Sequence, residues 1–176
     1  MQSPFFNVAP ELTASVVAIG AFDGVHRGHQ VLLRQMVQEA RQHRVPAVVY
    51  TFDPPPRVAL CGAAQLTSLE EKVTRLKACG VDVAVVASFD ETFRNRPPLD
   101  FIRELQRLRP LQVHVGQDFR FGQRRAGDVT LLSRHFSVQT LAPVACTEGE
   151  VISSTRVRNL LAAGEYAEAQ MLLGWL

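Results

Sequence analysis

Apolar positions along this chain switch repeatedly between two periods. Residues 15–22 (SVVAIGAF) are a short, β-branched apolar run that predicts a buried strand. From 29 to 44 the apolar side chains Val31, Leu32, Met36, Val37 and Ala40 fall at a helical period. A second strand is predicted at 47–52 (AVVYTF). The stretch DPPPR at 53–57 then predicts a loop, because three successive prolines lack ladder donors and disfavour helix. Residues 67–80 (TSLEEKVTRLKACG) read as a helix capped by Thr67, with Glu70 three residues on and Gly80 at the stop. Further strands are predicted at 81–89, 111–116 and 138–144. Further helices are predicted at 98–108, 129–136, 154–163 and 165–173, the last two joined at Gly164.

Strand alternating with helix predicts a parallel sheet covered on both faces. Right-handed crossovers then make it a doubly wound, Rossmann-like α/β domain of about five strands. With 176 residues, the expectation is a single domain over 1–176 that buries a core without staples. Ligands of such domains lie at the carboxyl ends of the strands. That rule directs attention to 22–29 (FDGVHRGH), 52–57 (FDPPPR) and 115–125 (VGQDFRFGQRR).

Composition narrows the classes. Hydrophobic content of 47% and charged content of 20% suit a soluble globular domain. A net charge of +2 gives no broad electrostatic case for nucleic acid or an anionic membrane. Of the 19 basic residues 17 are Arg, a side chain that grips phosphate in a fork. Cys61, Cys79 and Cys146 are far apart and show no C-x-x-C spacing, which argues against a disulfide framework or zinc site and fits a reducing cytoplasm. No apolar run approaches a membrane span, and MQSPFFNVAP lacks the pattern of a signal peptide. Oligomeric state is not legible.

In the first segment, Gly24 and Gly28 permit tight turning, and a helix opening there offers free N–H groups to an anion. His26 and His29 are three apart, so a helical turn puts both imidazoles on one face. They are either corner histidines with packing roles or a pair of phosphate ligands; the spacing is not that of a zinc helix. Far along the chain, ISSTRVR at 152–158 places Ser154, Thr155, Arg156 and Arg158 at another helix start. By itself that is simple capping by Ser153 or Ser154. Together with H-x-G-H it forms two anion-binding helix starts able to clamp one polyphosphate. The segment GQDFRFGQRRAGD at 116–128 brings Phe119 and Phe121 for a planar ring, Asp118 for hydroxyls or a ring edge, and Arg120, Arg124 and Arg125. Either phenylalanine is equally readable as core. Asp23, Asp53 and Asp118 are carboxylates able to organise Mg²⁺ through water, at no diagnostic spacing.

The ordered motifs G-x-F-D-G-V-H-x-G-H, T-F-D-P-x-P, V-G-x-D-F-x-F-G, I-S-S-T-x-V-R and A-x-x-L-L-G span about 17–174. In that order and at these distances they resemble the adenylyltransferase (FAD synthetase) module of bacterial bifunctional riboflavin kinase/FAD synthetases, in the nucleotidyltransferase superfamily. The resemblance implies transfer of AMP from ATP to FMN, giving FAD and pyrophosphate, with Mg²⁺ and without a covalent intermediate. It places His26 and His29 on the ATP phosphates, and Ser154, Thr155 and Arg158 on the β- and γ-phosphates. Gly20, Phe22 and Gly28 would shape the adenine and phosphate pocket. Asp118, Phe119, Phe121, Phe52 and Pro54 would lie on the flavin side.

Three departures stand out. Pro55 occupies a position where the family usually has His, and Trp175 one where Arg is usual. The riboflavin kinase module that follows in the family is not in this sequence, as expected of a trimmed chain or of a free-standing paralogue. Two other readings therefore stay open: a nucleotidyltransferase with a different phosphorylated acceptor, and a non-catalytic ATP- or flavin-binding paralogue.

Overall fold

The structure, a computed structural model, describes residues 5–175. The terminal residues, including part of the amino-terminal stretch considered above as a leader, lie outside that range. The chain opens with β1 (Phe5–Phe6), β2 (Ser15–Ile19), α1 (Arg27–His43), β3 (Ala47–Asp53), α2 (Pro56–Cys61), α3 (Leu69–Ala78) and β4 (Val83–Ser88). It continues through α4 (Glu91–Arg94), α5 (Pro98–Gln106), β5 (Pro110–Gly116), β6 (Arg120–Phe121), β7 (Gly127–Asp128), α6 (Val129–Ser133), β8 (Val138–Leu141), α7 (Ser154–Ala163) and α8 (Tyr166–Leu173).

The main sheet has six strands in the order β1-β4-β3-β2-β5-β8, all parallel. The five predicted strands are present, and the two-residue β1 adds an edge. From β2 the chain winds outward through β3 to β4, then returns to the other flank with β5 and β8, so the switch point lies beside β2. Successive side chains of β2 explain why its run is apolar throughout. Val17 and Ile19 join one core with Tyr50, Phe52, Phe101 and Leu105, while Val16 and Ala18 join the opposite core with Leu33, Met36 and Leu76. A smaller cluster of Ile152, Val157, Ala169 and Leu172 packs α7 against α8.

Three local expectations are corrected. The proline run is not all loop: Pro56 is the first residue of α2, where its missing N–H is not needed, and only Pro54 and Pro55 precede it. The cap of α3 is Ser68, whose hydroxyl accepts from Glu71 N; Thr67 is buried, with its hydroxyl turned to the Gly24 amide. Finally α1 starts at Arg27, with His26 as its cap.

Candidate functional site

The G-x-F-D-G-V-H-x-G-H segment leaves β2 and turns through an unusual backbone. Phe22, Gly24 and Val25 have φ of 48°, 80° and 44°, so two residues with side chains sit in the left-handed region within one turn. Such a conformation persists only where surroundings dictate it, and here nearly every polar group of the turn is claimed. Ser154 Oγ donates to Asp23 O at 3.0 Å, Gly24 N donates to Thr67 Oγ1 at 3.2 Å, and Arg75 Nη1 donates to Gly24 O at 2.8 Å. Val25 O accepts from Gln30 Nε2 at 3.0 Å and from Trp175 Nε1 at 2.9 Å. Trp175 thus latches the closing segment onto this turn.

Asp23 is the hub. It is 1% exposed, and its carboxylate accepts from Leu66 N, Thr67 N and Arg158 Nη2, the last at 2.6 Å. Arg158 also donates through Nε to Ala64 O at 2.6 Å. Residues 135 apart in sequence are therefore joined, and the starts of α1 and α7 meet at one place. Gly28 marks how closely: a Cβ there would stand 3.1 Å from the His26 ring and 3.4 Å from Ile152 O. Ser153 caps α7 by accepting from Arg156 N, which leaves Ser154 for the turn. Arg57, in α2, donates to Thr155 Oγ1 at 3.0 Å, so the proline segment closes onto α7 as well.

The two imidazoles are stacked, with centroids 3.6 Å apart and planes 14° from parallel; the Phe22 ring lies edge-on to His29 at 5.1 Å. His26 Nδ1 accepts from His29 N at 3.3 Å, so neutral His26 carries its proton on Nε2. Burial pushes His26 down to about 4, against the opposing pull of its own backbone contact and of Asp23. Burial likewise takes His29 well below the ordinary imidazole range, helped by the neighbouring charges of His26 and Lys72. His29 Nδ1 is buried without a hydrogen-bond partner among the described residues, a further reason against a second ring proton. At neutral pH the pair is neutral.

Lys72 was not singled out in the sequence, where it looks like one more solvated helix charge. Its spacing with Leu69 and Leu76 on α3 was the available signal, since it shares their inward face. It is fully buried, and Nζ donates to Phe52 O at 2.7 Å and Ala21 O at 3.2 Å. Burial lowers its affinity for the proton, against the attraction of Asp23 and Asp53.

On the other side of the strand ends lies a chain of aromatic rings. Phe52 contacts Phe89 and Phe93, Phe93 contacts Phe101, Phe101 contacts Phe121, and Phe121 stacks on Phe119 at 5.6 Å. Phe52 and Phe121 are buried members of the core; Phe89, Phe93 and Phe119 are partly exposed. Pro54 and Asp118 are exposed, whereas Pro55 is buried, its carbonyl accepting from the Val58 and Ala59 amides that start α2. An open cavity of about 260 Å³ beside Phe89 is lined by Ala59, Leu60, Asp90, Glu91 and Arg94. Gly20 borders the turn, where a Cβ would meet the Phe22 ring at 3.1 Å. Among the described residues no group of three His, Cys, Asp or Glu side chains is disposed to hold a metal, and no helix is long and apolar enough to cross a membrane.

A family model described as FAD synthetase matches residues 8–156. The chain belongs to the FAD synthetase family. A provisionally named bifunctional riboflavin kinase/FMN adenylyltransferase of Geobacillus thermodenitrificans is 54% identical over 96% of this chain and 94% of its own length. The bifunctional riboflavin kinase/FMN adenylyltransferase of Escherichia coli K12 is 40% identical over 90% of this chain, which spans only 54% of that relative. Among solved structures, one described as a macrolide-efflux protein of Streptococcus pneumoniae superposes with a TM-score of 0.82 at 29% identity, over 94% of this chain and 58% of its own. The fold of this FAD synthetase-family chain is thus shared with that solved structure over most of its length.

Proposed function

We propose that this chain transfers AMP from ATP to FMN, yielding FAD and pyrophosphate. The observation that carries the reading is the convergence of the α1 and α7 starts on the Asp23 turn, beside a row of aromatic rings, in a chain of the FAD synthetase family. An FMN phosphate oxygen attacks the α-phosphorus in line. The bond from that phosphorus to the bridging oxygen breaks, and its electron pair leaves with pyrophosphate.

The chain's contribution is placement and charge. His26 donates from Nε2, and the first turn of α1 offers amides to the same anion. His29, stacked behind it, fixes that ring and presents its own edge to the phosphates. Ser154 and Thr155 bring the α7 start and its amides to the β- and γ-phosphates. Arg158 has Nε and Nη2 committed, and its remaining edge reaches for the same oxygens. Gly20, Phe22 and Gly28 keep the nucleotide side open to close approach. On the acceptor side Phe119 offers a partly exposed ring, with Phe52 and Phe121 as the wall behind it and Pro54 and Asp118 at the rim.

Mg²⁺ would arrive with ATP and offset charge on its phosphates. With no carboxylate cluster to cage it among the described residues, phosphate oxygens and water would hold it rather than a set of protein ligands. A supply of ATP and the free cysteines Cys61, Cys79 and Cys146 fit the cytoplasm as its compartment.

The test is incubation with ATP, Mg²⁺ and FMN, followed by chromatography for FAD. Absence of FAD, while the full-length Escherichia coli relative makes it under the same conditions, overturns the reading. One observation favours a second reading. Pro55 is a buried cap at the position where the family resemblance leads one to expect an imidazole, which sets this loop apart from that expectation. ATP–pyrophosphate exchange across a panel of phosphorylated acceptors decides: dependence on FMN alone eliminates a different acceptor.

A further inference from the structure

Lys72 is fully buried, yet among the described residues the hydrogen-bond partners of its ammonium are two carbonyls and no carboxylate. Phe52 O belongs to the end of β3, and Ala21 O lies just past β2, so the ammonium sits under the crevice from which the histidine turn departs. Burying a cation against neutral acceptors is costly. A neutral amide would tie two strand ends together without that cost. The charge therefore needs a reason, and the groups around it supply one.

The charged groups reaching this turn come from four elements. Asp23 lies in the turn itself, and Asp53 ends β3. Arg75, from α3, is committed to Gly24 O and Glu71, and Arg158, from α7, to Asp23 and Ala64 O. Asp23 is bonded to Arg158, and Asp53 and Asp23 both attract the Lys72 ammonium without bonding it. Through Ala21 O the ammonium is anchored one residue before Phe22, whose ring lies edge-on to His29, so its charge acts on that imidazole.

We propose that Lys72 is the positioning residue of the transfer site. Its ammonium sets the spacing of the β2 and β3 ends and imposes a fixed positive field that, together with burial, holds the His29 ring as a neutral donor stacked on His26. The same field raises the potential met by an incoming polyphosphate. The proposal rests on the adenylyl-transfer reading above, and its test is built to fail separately from that reading.

Lys72→Met removes charge and hydrogen bonds; Lys72→Gln, one atom shorter, keeps a donor amide directed at the carbonyls and removes the charge. Both are made in the full chain and compared by steady-state kinetics and by NMR titration of the histidine rings from about pH 4 to 9. In both variants kcat falls by about 10- to 100-fold, since the effect acts through the histidines rather than at the phosphate itself. KM for ATP moves less than kcat. The His29 ring titrates at higher pH in both variants than in the wild type, while Lys72→Gln keeps most of the thermal stability. A folded Lys72→Gln variant with wild-type kcat and an unmoved His29 titration overturns the proposal and leaves Lys72 as a tie between strands. If the wild type makes no FAD, the adenylyl-transfer reading falls, and the His29 titration in Lys72→Gln still decides the role of the charge. Should Lys72→Met fail to fold, Lys72→Gln carries the same test.

Discussion

Replacing Asp23 with Ala removes the group on which the α1 and α7 starts converge. The guanidinium of Arg158, whose side chain is 12% exposed, then loses its carboxylate at 2.6 Å. The amides of Leu66 and Thr67 lose their acceptor in the same step. Removing one partner of a buried pair costs about 3–5 kcal/mol, because the stranded charge stays out of water. The orphaned amides push toward the upper end, each unmet buried donor costing about 1–3 kcal/mol, although these terms are not additive. At about 2–4 °C per kcal/mol for a domain of this size, a loss near the upper end lowers the melting temperature by roughly 10–20 °C. Urea unfolding followed by circular dichroism measures the loss, with an unchanged m value as the sign that the unfolded reference has not moved. Arg158→Met completes a double-mutant cycle. With the cation gone, the second replacement costs only the acceptor of the Leu66 and Thr67 amides, so the double mutant is more stable than the two single losses combined would leave it. A cost below about 1 kcal/mol for Asp23→Ala, the range of an exposed pair, refutes the hub. Strict additivity in the cycle refutes it equally.

Acid lability follows from His26. Its folded-state pKa of about 4 lies below that of the unfolded chain, near 6.5, so between those values the unfolded chain takes up a proton that the folded chain refuses. Stability is therefore whole above about pH 6.5 and falls as pH drops toward 4, by on the order of 3 kcal/mol, and His26→Asn flattens the dependence seen in urea titrations at stepped pH. His29→Ala lowers kcat by roughly 10²- to 10³-fold and leaves KM for FMN within a few-fold; an unchanged kcat removes the imidazole from the transition state. Gly127→Ala drives a Cβ to 2.5–2.7 Å from three carbons of the Phe121 ring. That ring is core, so about 1–3 kcal/mol of stability is lost and FMN affinity weakens more than ATP affinity, as calorimetry with each ligand reads out. Thr155→Ala releases Arg57 and raises KM for ATP, with little change in the melting curve, because the contact is exposed.

The strand–helix alternation, both helix starts and the histidine pair were legible because each writes a periodic or local signal into a few adjacent residues. The Asp23–Arg158 pair was not, since nothing in either neighbourhood announces a partner 135 residues away. Lys72 was hidden by its type: a charge on a helix reads as solvated unless the apolar neighbours at three and four residues are given more weight than the charge. Thr67 drew the cap assignment from Ser68 because both precede a glutamate at the right distance, and tertiary demand from the Gly24 amide decided between them. Pro56 was misread because a proline that forbids the middle of a helix is welcome at its first position. The left-handed backbone at Phe22 and Val25 could not be read at all, as neither side chain favours it; the surrounding clamps impose it. In the row of aromatic rings Phe89 and Phe93 were passed over, because their segment joins the cluster through packing rather than through any motif.

Trp175 is the only tryptophan in the chain, and its indole N–H is bonded to the turn that carries the histidines, with the Arg75 guanidinium 5.5 Å from the ring centroid. The molecule therefore contains its own optical gauge. Nucleotide that tightens or loosens the turn changes the indole's surroundings and so its emission, without any label. A bound flavin would instead drain that emission by energy transfer. Titrating the two substrates one at a time, and then in either order, would separate their arrivals in a single cuvette.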